Sequence, residues 1–245
     1  GEHYDARLEQ SGWCESSFDD SGWENAVIRR APEGAMRAHM AHPDRVMEVL
    51  DPVKIEKLGD GRFKVDFGQE ISGWVHIKDF TGKAGQKIDM KYLHKYSPNG
   101  DNSYTLKGSG SESYCPRFTW FVFREVEISN WPGELKPEQI KAEAVYTYVE
   151  TTGKFESSNK LLNDINRIWW RSQTDNMHGG IASDCPNMER SPYTGDGQVA
   201  CVTVMHNFDT RAFYNKWIHD IIGASNEETG YVPNGAPWQP GCGGG

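Results

Sequence analysis

Up to about residue 150, hydrophobic and polar residues alternate in runs separated by turn residues. Alternation with a period of two indicates strands that bury one face, and glycine, proline and asparagine mark turns, here at residues 59–61, 81–83 and 98–101. The runs are RFKVDFGQ, GWVHIKDF, QKIDMKYLHKY, WFVFREVEIS and KAEAVYTYVE. Because parallel sheets require intervening helices, this spacing predicts an antiparallel β-sandwich.

Beyond residue 155 the pattern changes to helical spacing. The first predicted helix follows the candidate caps Ser157 and Ser158 and carries Leu161, Leu162, Ile165, Ile168 and Trp169. Two more helices are predicted from GQVACVTVMHNF and TRAFYNKWIHDIIGA, the second ending at Gly223. Three helices cannot easily bury such wide apolar faces on one another, so we expect the natural protein to continue past residue 245. A small helical cap docked on the sandwich is the alternative.

Composition and charge exclude several classes of partner. The formal net charge is −9, and the lysines and arginines are scattered, so no nucleic-acid partner is predicted. No apolar run approaches the roughly 18 to 20 residues of a membrane span, so no membrane partner is predicted. The five cysteines form no C-x-x-C pair, which indicates free or buried thiols, with a Cys185–Cys201 bridge as the alternative.

One loop between predicted helices is rich in acidic residues. The stretch IASDCPNMERSPYTGDGQVA, residues 181–200, carries Asp184, Glu189 and Asp196. Its prolines stiffen the backbone and its glycines allow tight turns, namely Pro186, Pro192, Gly195 and Gly197. Rigid placement of acids is costly unless it has a use, which argues against a merely solvated loop.

Three explanations of the loop differ in their chemistry. Asp and Glu are usually exposed, so solvation alone is one explanation. A calcium site is the second, but the spacing matches no EF-hand pattern, and neither a metal nor a cofactor is predicted. The third is carbohydrate chemistry, in which acids bind sugar hydroxyls and one buried acid with a raised pKa protonates a glycosidic oxygen. Tyr193 and Trp238 are loop aromatics that could pack on a sugar ring.

Several motifs resemble a known enzyme family. Seven stretches follow one another along the chain: GEHYDAR, FDDSGW, VDFGQEISGWVHI, PRFTWFVFREVEI, GKFESSNKLLNDI, DCPNMERSPYTGD and GYVPNGAP. They are similar, in this order, to successive motifs of bacterial α-L-rhamnosidases of glycoside hydrolase family 78. The resemblance covers nearly the whole chain. It implies a multidomain β-then-α architecture: residues 1–44 end an upstream β-domain or form a linker, residues 45–148 form the β-sandwich, and residues 149–245 begin a truncated (α/α)6 barrel.

The resemblance also implies roles for the loop residues. Glu189 resembles the general acid, and Asp184 and Asp196 resemble acids that hold sugar hydroxyls. Arg190 is expected either to pair with a carboxylate or to fix the loop, and Tyr193 stands where many members have a tryptophan. Members invert configuration with a glutamate base far downstream, and no residue here aligns with it. We therefore expect the 245-residue chain alone to be inactive or nearly so.

The implied partner is a rhamnose-containing oligosaccharide or glycoside, bound by Asp184, Arg190, Tyr193, Asp196 and Trp238. A non-catalytic carbohydrate-binding relative is one alternative, and another (α/α)6 glycosidase acting on a different sugar is a second. Enzymes that meet extracellular glycans suggest a periplasmic or secreted location, with the cytoplasm as the alternative. The oligomeric state is not predicted.

Overall fold

The structure is a computed structural model that describes residues 1–31, 34–94 and 100–238. Within these ranges nine strands join in one curled sheet: β1 (His3–Asp5), β2 (Asp44–Leu50), β3 (Lys54–Gly59), β4 (Arg62–Phe80), β5 (Lys87–Leu93), β6 (Asp101–Thr105), β7 (Glu112–Tyr114), β8 (Phe121–Ser129) and β9 (Ile140–Thr147). Their order is β1-β6-β5-β8-β4-β9-β2, and β3 and β7 also pair with β4. Short 3-10 turns follow at Ala6–Leu8 and Pro137–Gln139.

The long strand β4 organises this sheet. RFKVDFGQ and GWVHIKDF were predicted as separate runs, but both belong to β4. No turn divides them. The strand instead bends where its pairing with β8 shifts register between Asp66 and Ile71. Gly68 has a φ of 82° at this bend, a conformation that glycine adopts without steric cost. The strand therefore pairs with β3 before the bend and with β7 and β9 after it.

Other differences from the predicted strands arise from short or distant pairings. Strand β1 pairs in parallel with β6, His3 opposite Ser103, so the first residues join the sheet and it is not wholly antiparallel. Strands β2, β3, β6 and β7 were not predicted. Strand β5 ends at Leu93, and residues 95 and 96 of its predicted run lie outside the described residues, as do residues 98 and 99 of a predicted turn.

The curled sheet encloses an aromatic and aliphatic core. Its largest fully buried side chains are Tyr92, Phe63, Phe67, Phe80, Phe123, Ile71, Ile77, Ile88, Met90, Leu106, Ile128 and Ile140. Within the strands most of these residues alternate with half-buried or exposed residues, as the period-two pattern predicted. Apolar burial on this scale is the main stabilisation of such a domain.

Three helices follow within the described residues: α1 (Lys160–Asp175), α2 (Thr194–Asn207) and α3 (Arg211–Ala224). The predicted caps of α1 were wrong, because Asn159 caps the helix by accepting a hydrogen bond from the Leu161 amide. Gly223 does not end α3, since the helix continues to Ala224 and the cap is Ser225. Two short antiparallel strand pairs accompany the helices. Strand β10 (Glu150–Thr151) pairs with β13 (Phe208–Asp209), and β11 (Met177–His178) pairs with β12 (Ile181–Ala182).

The helical part packs on the sandwich and has a small core of its own. Arg171 of α1 donates to Glu48 of β2 at 2.6 Å, and Trp170 contacts Tyr146 edge-on. The second core contains Val149, Met177, Ala182, Val204, Phe208 and Phe213. Apolar helix residues remain exposed beside it, namely Leu161, Leu162, Ile165, Ile168, Val199, Val202, Met205, Ile218 and Ile222. None of the helices described is long and apolar enough to cross a membrane.

Candidate functional site

The acidic loop connects the β11–β12 hairpin to α2, and a double hydrogen bond closes its base. The Asp184 amide donates to the Ser191 carbonyl at 3.1 Å, and the Ser191 amide donates to Asp184 Oδ1 at 2.9 Å. Both ends of the segment from Asp184 to Ser191 are thus fixed to one another. Glu189 and Arg190 lie inside this closed segment, so their backbone positions depend on it.

Glu189 is exposed, and its nearest partner is a thiol. The Cys185 Sγ–H donates to Glu189 Oε2 at 2.9 Å. This bond, with further help from its own amide and from Asp184, lowers the pKa of Glu189. The expectation of a buried acid with a raised pKa is therefore not met at Glu189, because none of the described side chains covers its carboxylate enough to desolvate it.

The structure brings the three acids together around Asp184. One carboxylate oxygen each of Asp184 and Glu189 and the Sγ of Cys185 all lie within 4.8 Å of one another. Asp196 lies in the first turn of α2, and with Asp184 it lines a pocket of about 160 Å³ at the facing ends of α1 and α2. The other wall is formed by α1 and its C-terminal cap, with the residues Trp169, Ser172, Gln173 and Asn176. Acceptors from two elements thus face one small polar cavity.

Arg190 packs on an aromatic ring of the sandwich. Its backbone is left-handed, with a φ of 54°, and its guanidinium lies 4.0 Å from the centre of the Trp120 ring. Burial lowers the pKa of Arg190. Trp120 also stacks on His178, with ring centres 3.7 Å apart and planes 7° apart. The side chain is therefore used to attach the loop to the sandwich, and its predicted contact with substrate stays a prediction.

The aromatics Tyr193 and Trp238 belong to two chain segments that pair beside the loop. Tyr193 precedes α2 and forms an isolated β-bridge with Gly235. The Thr194 amide donates to the Asn234 carbonyl at 2.7 Å, which strengthens this pairing. Trp238 follows three residues after the bridge and is 60% exposed. The pairing brings the segment that carries Trp238 to the edge of the acidic loop.

Sequence patterns did not indicate four residues at this site: Trp120, Asp175, His178 and Cys185. His178 Nε2 lies 3.0 Å from Ser72 Oγ, and the Ser72 amide donates to Asp175 at 2.9 Å. Burial raises the pKa of Asp175 to about 7. These contacts join residues about 100 positions apart, which no local motif reveals. Cys185 could have been suspected within the loop, but it is a free thiol, as is Cys201, so they form no bridge.

Sequence models of three domains match consecutive parts of the chain. Residues 1–48 match the α-L-rhamnosidase N-terminal domain, residues 56–146 match the bacterial α-L-rhamnosidase concanavalin-like domain, and residues 150–244 match the bacterial α-L-rhamnosidase 6 hairpin glycosidase domain. An α-L-rhamnosidase of Formosa agariphila is 33% identical over 239 residues, which is 90% of this chain and 25% of that protein.

Solved structures agree with these sequence matches. The α-L-rhamnosidase from Dictyoglumus thermophilum superposes with a TM-score of 0.90 and 36% identity, covering 97% of this chain and 28% of that one. The Streptomyces avermitilis α-L-rhamnosidase complexed with L-rhamnose gives a TM-score of 0.87 and 30% identity, covering 98% and 24%. The chain belongs to the α-L-rhamnosidases of glycoside hydrolase family 78.

Membership of the α-L-rhamnosidase family confirms the predicted fold class, a β-sandwich followed by helices of a six-hairpin domain. The chain spans about a quarter of the length of the rhamnosidases that it matches. The acidic loop lies within the part matched by the glycosidase domain. The roles of individual loop residues stay predictions.

Proposed function

We propose that the protein to which this chain belongs hydrolyses terminal non-reducing α-L-rhamnose residues from glycosides. The observation that carries this proposal is the grouping of Asp184 with Glu189 on one side and with Asp196 across a polar pocket on the other. Matched relatives named α-L-rhamnosidase, one of them solved with L-rhamnose, support rhamnose as the sugar. A location in the periplasm or outside the cell fits substrates carried on extracellular glycans.

Each acid has a distinct role in this proposal. Glu189 protonates the departing glycosidic oxygen, and Asp184 and Asp196 accept hydrogen bonds from sugar hydroxyls. Asp184 already accepts one bond from the Ser191 amide, and a carboxylate has capacity for several more. A sugar bound over Glu189 would exclude water and raise its pKa, which is low in the uncovered loop.

Hydrolysis with inversion requires a second carboxylate that activates water on the opposite face of the sugar. The two carboxyl groups of an inverting pair are roughly 6.5 to 9.5 Å apart, which leaves room for that water. We infer that a residue outside this 245-residue chain supplies the base. The chain alone should then bind rhamnose weakly and turn it over slowly or not at all.

The test is release of rhamnose from an aryl α-L-rhamnoside by three proteins. These are the 245-residue chain, a longer protein that carries it and matches the length of the relatives, and that longer protein with Glu189→Gln. The amide keeps the shape of the side chain but cannot donate the acidic proton. We expect activity only in the longer wild type, with a loss of about 10²- to 10⁴-fold in the variant.

A matched control is Glu156→Gln, which removes an exposed carboxylate outside the loop and should leave activity unchanged. Proton NMR of the first product should show the β-anomer of rhamnose, and initial release of the α-anomer would contradict inversion. If the longer wild type binds rhamnose without cleaving any rhamnoside, the loop is a recognition site, in agreement with the low pKa of Glu189. Activity on another sugar alone would contradict the assignment of rhamnose.

A further inference from the structure

Three different metal-binding side chains meet on the sandwich, away from the acidic loop. His76 lies on β4, Glu143 lies on the adjacent strand β9, and Cys115 directly follows β7. His76 Nδ1 is 2.8 Å from Glu143 Oε1, and Cys115 Sγ is 3.6 Å from Glu143 Oε2. The three donor atoms all lie within 4.8 Å of one another. The residues are half-buried, so their positions are set by the sheet.

The surroundings orient the carboxylate and make the cluster negative. Trp74, opposite Glu143 in the register of β4 and β9, donates from Nε1 to Glu143 Oε2 at 2.7 Å. Burial acts to raise the pKa of Glu143, but hydrogen bonds from His76 and Trp74 outweigh it and keep the pKa low. Burial and the charge of Glu143 raise the pKa of Cys115 to about 12. Hydrogen bonds from Trp74 and His76 thus hold the Glu143 carboxylate beside Cys115, and a bound cation would favour ionisation of the thiol.

We propose that His76, Cys115 and Glu143 form a binding site for a divalent cation of the zinc class. Imidazole nitrogen, thiolate sulfur and carboxylate oxygen are all zinc ligands, with bond lengths of roughly 2.0 to 2.3 Å. Tetrahedral coordination at these lengths separates the ligand atoms by about 3.3 to 3.7 Å. Cys115 Sγ is already in that range of Glu143 Oε2, whereas His76 Nδ1 contacts the other oxygen, Oε1. The carboxylate must therefore turn one oxygen to the metal, and the contact from His76 to Glu143 must lengthen by about 0.5 Å as the metal replaces their shared proton.

The donor set also selects the class of cation. Calcium and magnesium prefer oxygen ligands, whereas thiolate and imidazole together favour zinc and related ions. Water would complete the fourth position. Binding would release the thiol proton of Cys115 to solvent, because the thiolate is the ligand, and the proton of neutral His76 would move from Nδ1 to Nε2. The metal would fasten the segment after β7, which leads within five residues to Trp120 at the acidic loop.

The experiment uses Co²⁺ as a probe on the 245-residue chain, reduced with a phosphine and kept free of oxygen. Cobalt bound to a thiolate gives a charge-transfer absorption band, and Zn²⁺ added afterwards should abolish it by displacement. Cys185 needs separate attention, because Asp184, Cys185 and Glu189 form another cluster with a thiol. The chain with Cys14, Cys185, Cys201 and Cys242 all changed to serine retains Cys115 alone. We expect it to keep the band with one Co²⁺ per chain.

Three single variants complete the design. Cys115→Ser should lose the band, and Cys185→Ser should retain it. These two variants distinguish the two thiols even if the variant with four serines does not fold. Trp74→Phe removes a hydrogen bond to the ligand Glu143 and should weaken binding about 10- to 100-fold. Zinc should also raise the Tm of the wild type and not of Cys115→Ser. A folded wild type without the band, or a band that follows Cys185 instead of Cys115, would overturn the proposal.

Discussion

The guanidinium carbon of Arg190 lies 4.0 Å from the centre of the Trp120 ring, which attaches the acidic loop to the β-sandwich. Trp120 precedes β8 directly, and it also stacks on His178 of the β11–β12 hairpin. One ring therefore contacts both the hairpin that enters the loop and the residue next to Glu189. Because Arg190 has a left-handed backbone, its side-chain contact helps to stabilise a loop conformation that is otherwise unfavourable.

This contact predicts energetic coupling between Trp120 and Arg190. In a double-mutant cycle with Trp120→Ala and Arg190→Ala, we expect a coupling energy of about 0.5 to 2 kcal/mol, the range for partly desolvated cation–π pairs. Urea unfolding of the four proteins measures it. The matched control pairs Trp120→Ala with Arg211→Ala, an arginine on α3 whose partner is Asp209. Additive effects in the control and coupling in the first cycle are expected, and equal additivity in both would contradict a direct contact.

The thiol of Cys185 is predicted to hold the pKa of Glu189 below its ordinary value. Cys185→Ala removes the principal hydrogen bond to the carboxylate, so the pKa of Glu189 should rise towards that of an exposed glutamate. Titration of the side-chain carboxyl carbon by NMR measures the change. Cys185→Ser is the matched control, since its hydroxyl can still donate and should keep the pKa low. If both variants leave the pKa at its wild-type value, the hydrogen bond is not its cause.

Local patterns predicted the parts of the site that are close in sequence. The three acids lie within thirteen residues, and the helix before them, α1, has clear apolar periodicity. The contacts that fix the loop were not predictable in this way, because Trp120 and Arg190 are 70 residues apart and Ser72 and Asp175 are 103 apart. Such contacts depend on how the sandwich and helices pack, and periodicity gives the face of an element without naming its partner.

In the sandwich, too, sequence patterns predicted some elements and missed others. Alternation identified β4, β5, β8 and β9 but not β2, β3 or β6, and β1 and β7 have three residues each, too few for a period to be visible. One bent strand, β4, was predicted as two runs, because the pairing and the alternation are interrupted between Asp66 and Ile71, where the strand bends at Gly68. The cluster of His76, Cys115 and Glu143 has spacings that match no metal motif, since the strand register brings it together.

The buried carboxyl of Asp175 is predicted to make the chain less stable as pH rises towards neutrality. Its pKa is about 7 in the folded chain, raised by burial from an ordinary value near 3.8. Between these values the folded state holds a proton that the unfolded state has lost, so the free energy of unfolding falls as pH increases and levels off above pH 7. The total loss is at most about 4 kcal/mol.

Asp175→Asn should remove this dependence, because a neutral amide oxygen can still accept from the Ser72 amide. Urea unfolding at pH 5 and pH 7.5 measures how the free energy of unfolding changes with pH. Asp164→Asn is the control: its pKa is lowered by Lys160, so any dependence that it contributes lies below its ordinary value and the slope from pH 5 to 7.5 should not change. If the wild type and Asp175→Asn change in stability equally over this range, Asp175 is ionised when folded.

Two helical glycines are predicted to respond in opposite directions to substitution by alanine. A Cβ added at Gly197 in α2 would overlap the buried indole of Trp217 in α3, which cannot move freely because its Nε1 donates to the Ala236 carbonyl at 2.9 Å. Gly197→Ala should therefore cost about 1 to 3 kcal/mol, as overpacking does. Gly223 in α3 has open space around it, so Gly223→Ala should stabilise by up to about 1 kcal/mol through helix propensity. Urea unfolding of both variants measures the difference, and stabilisation by Gly197→Ala would mean that α2 and α3 do not pack this closely.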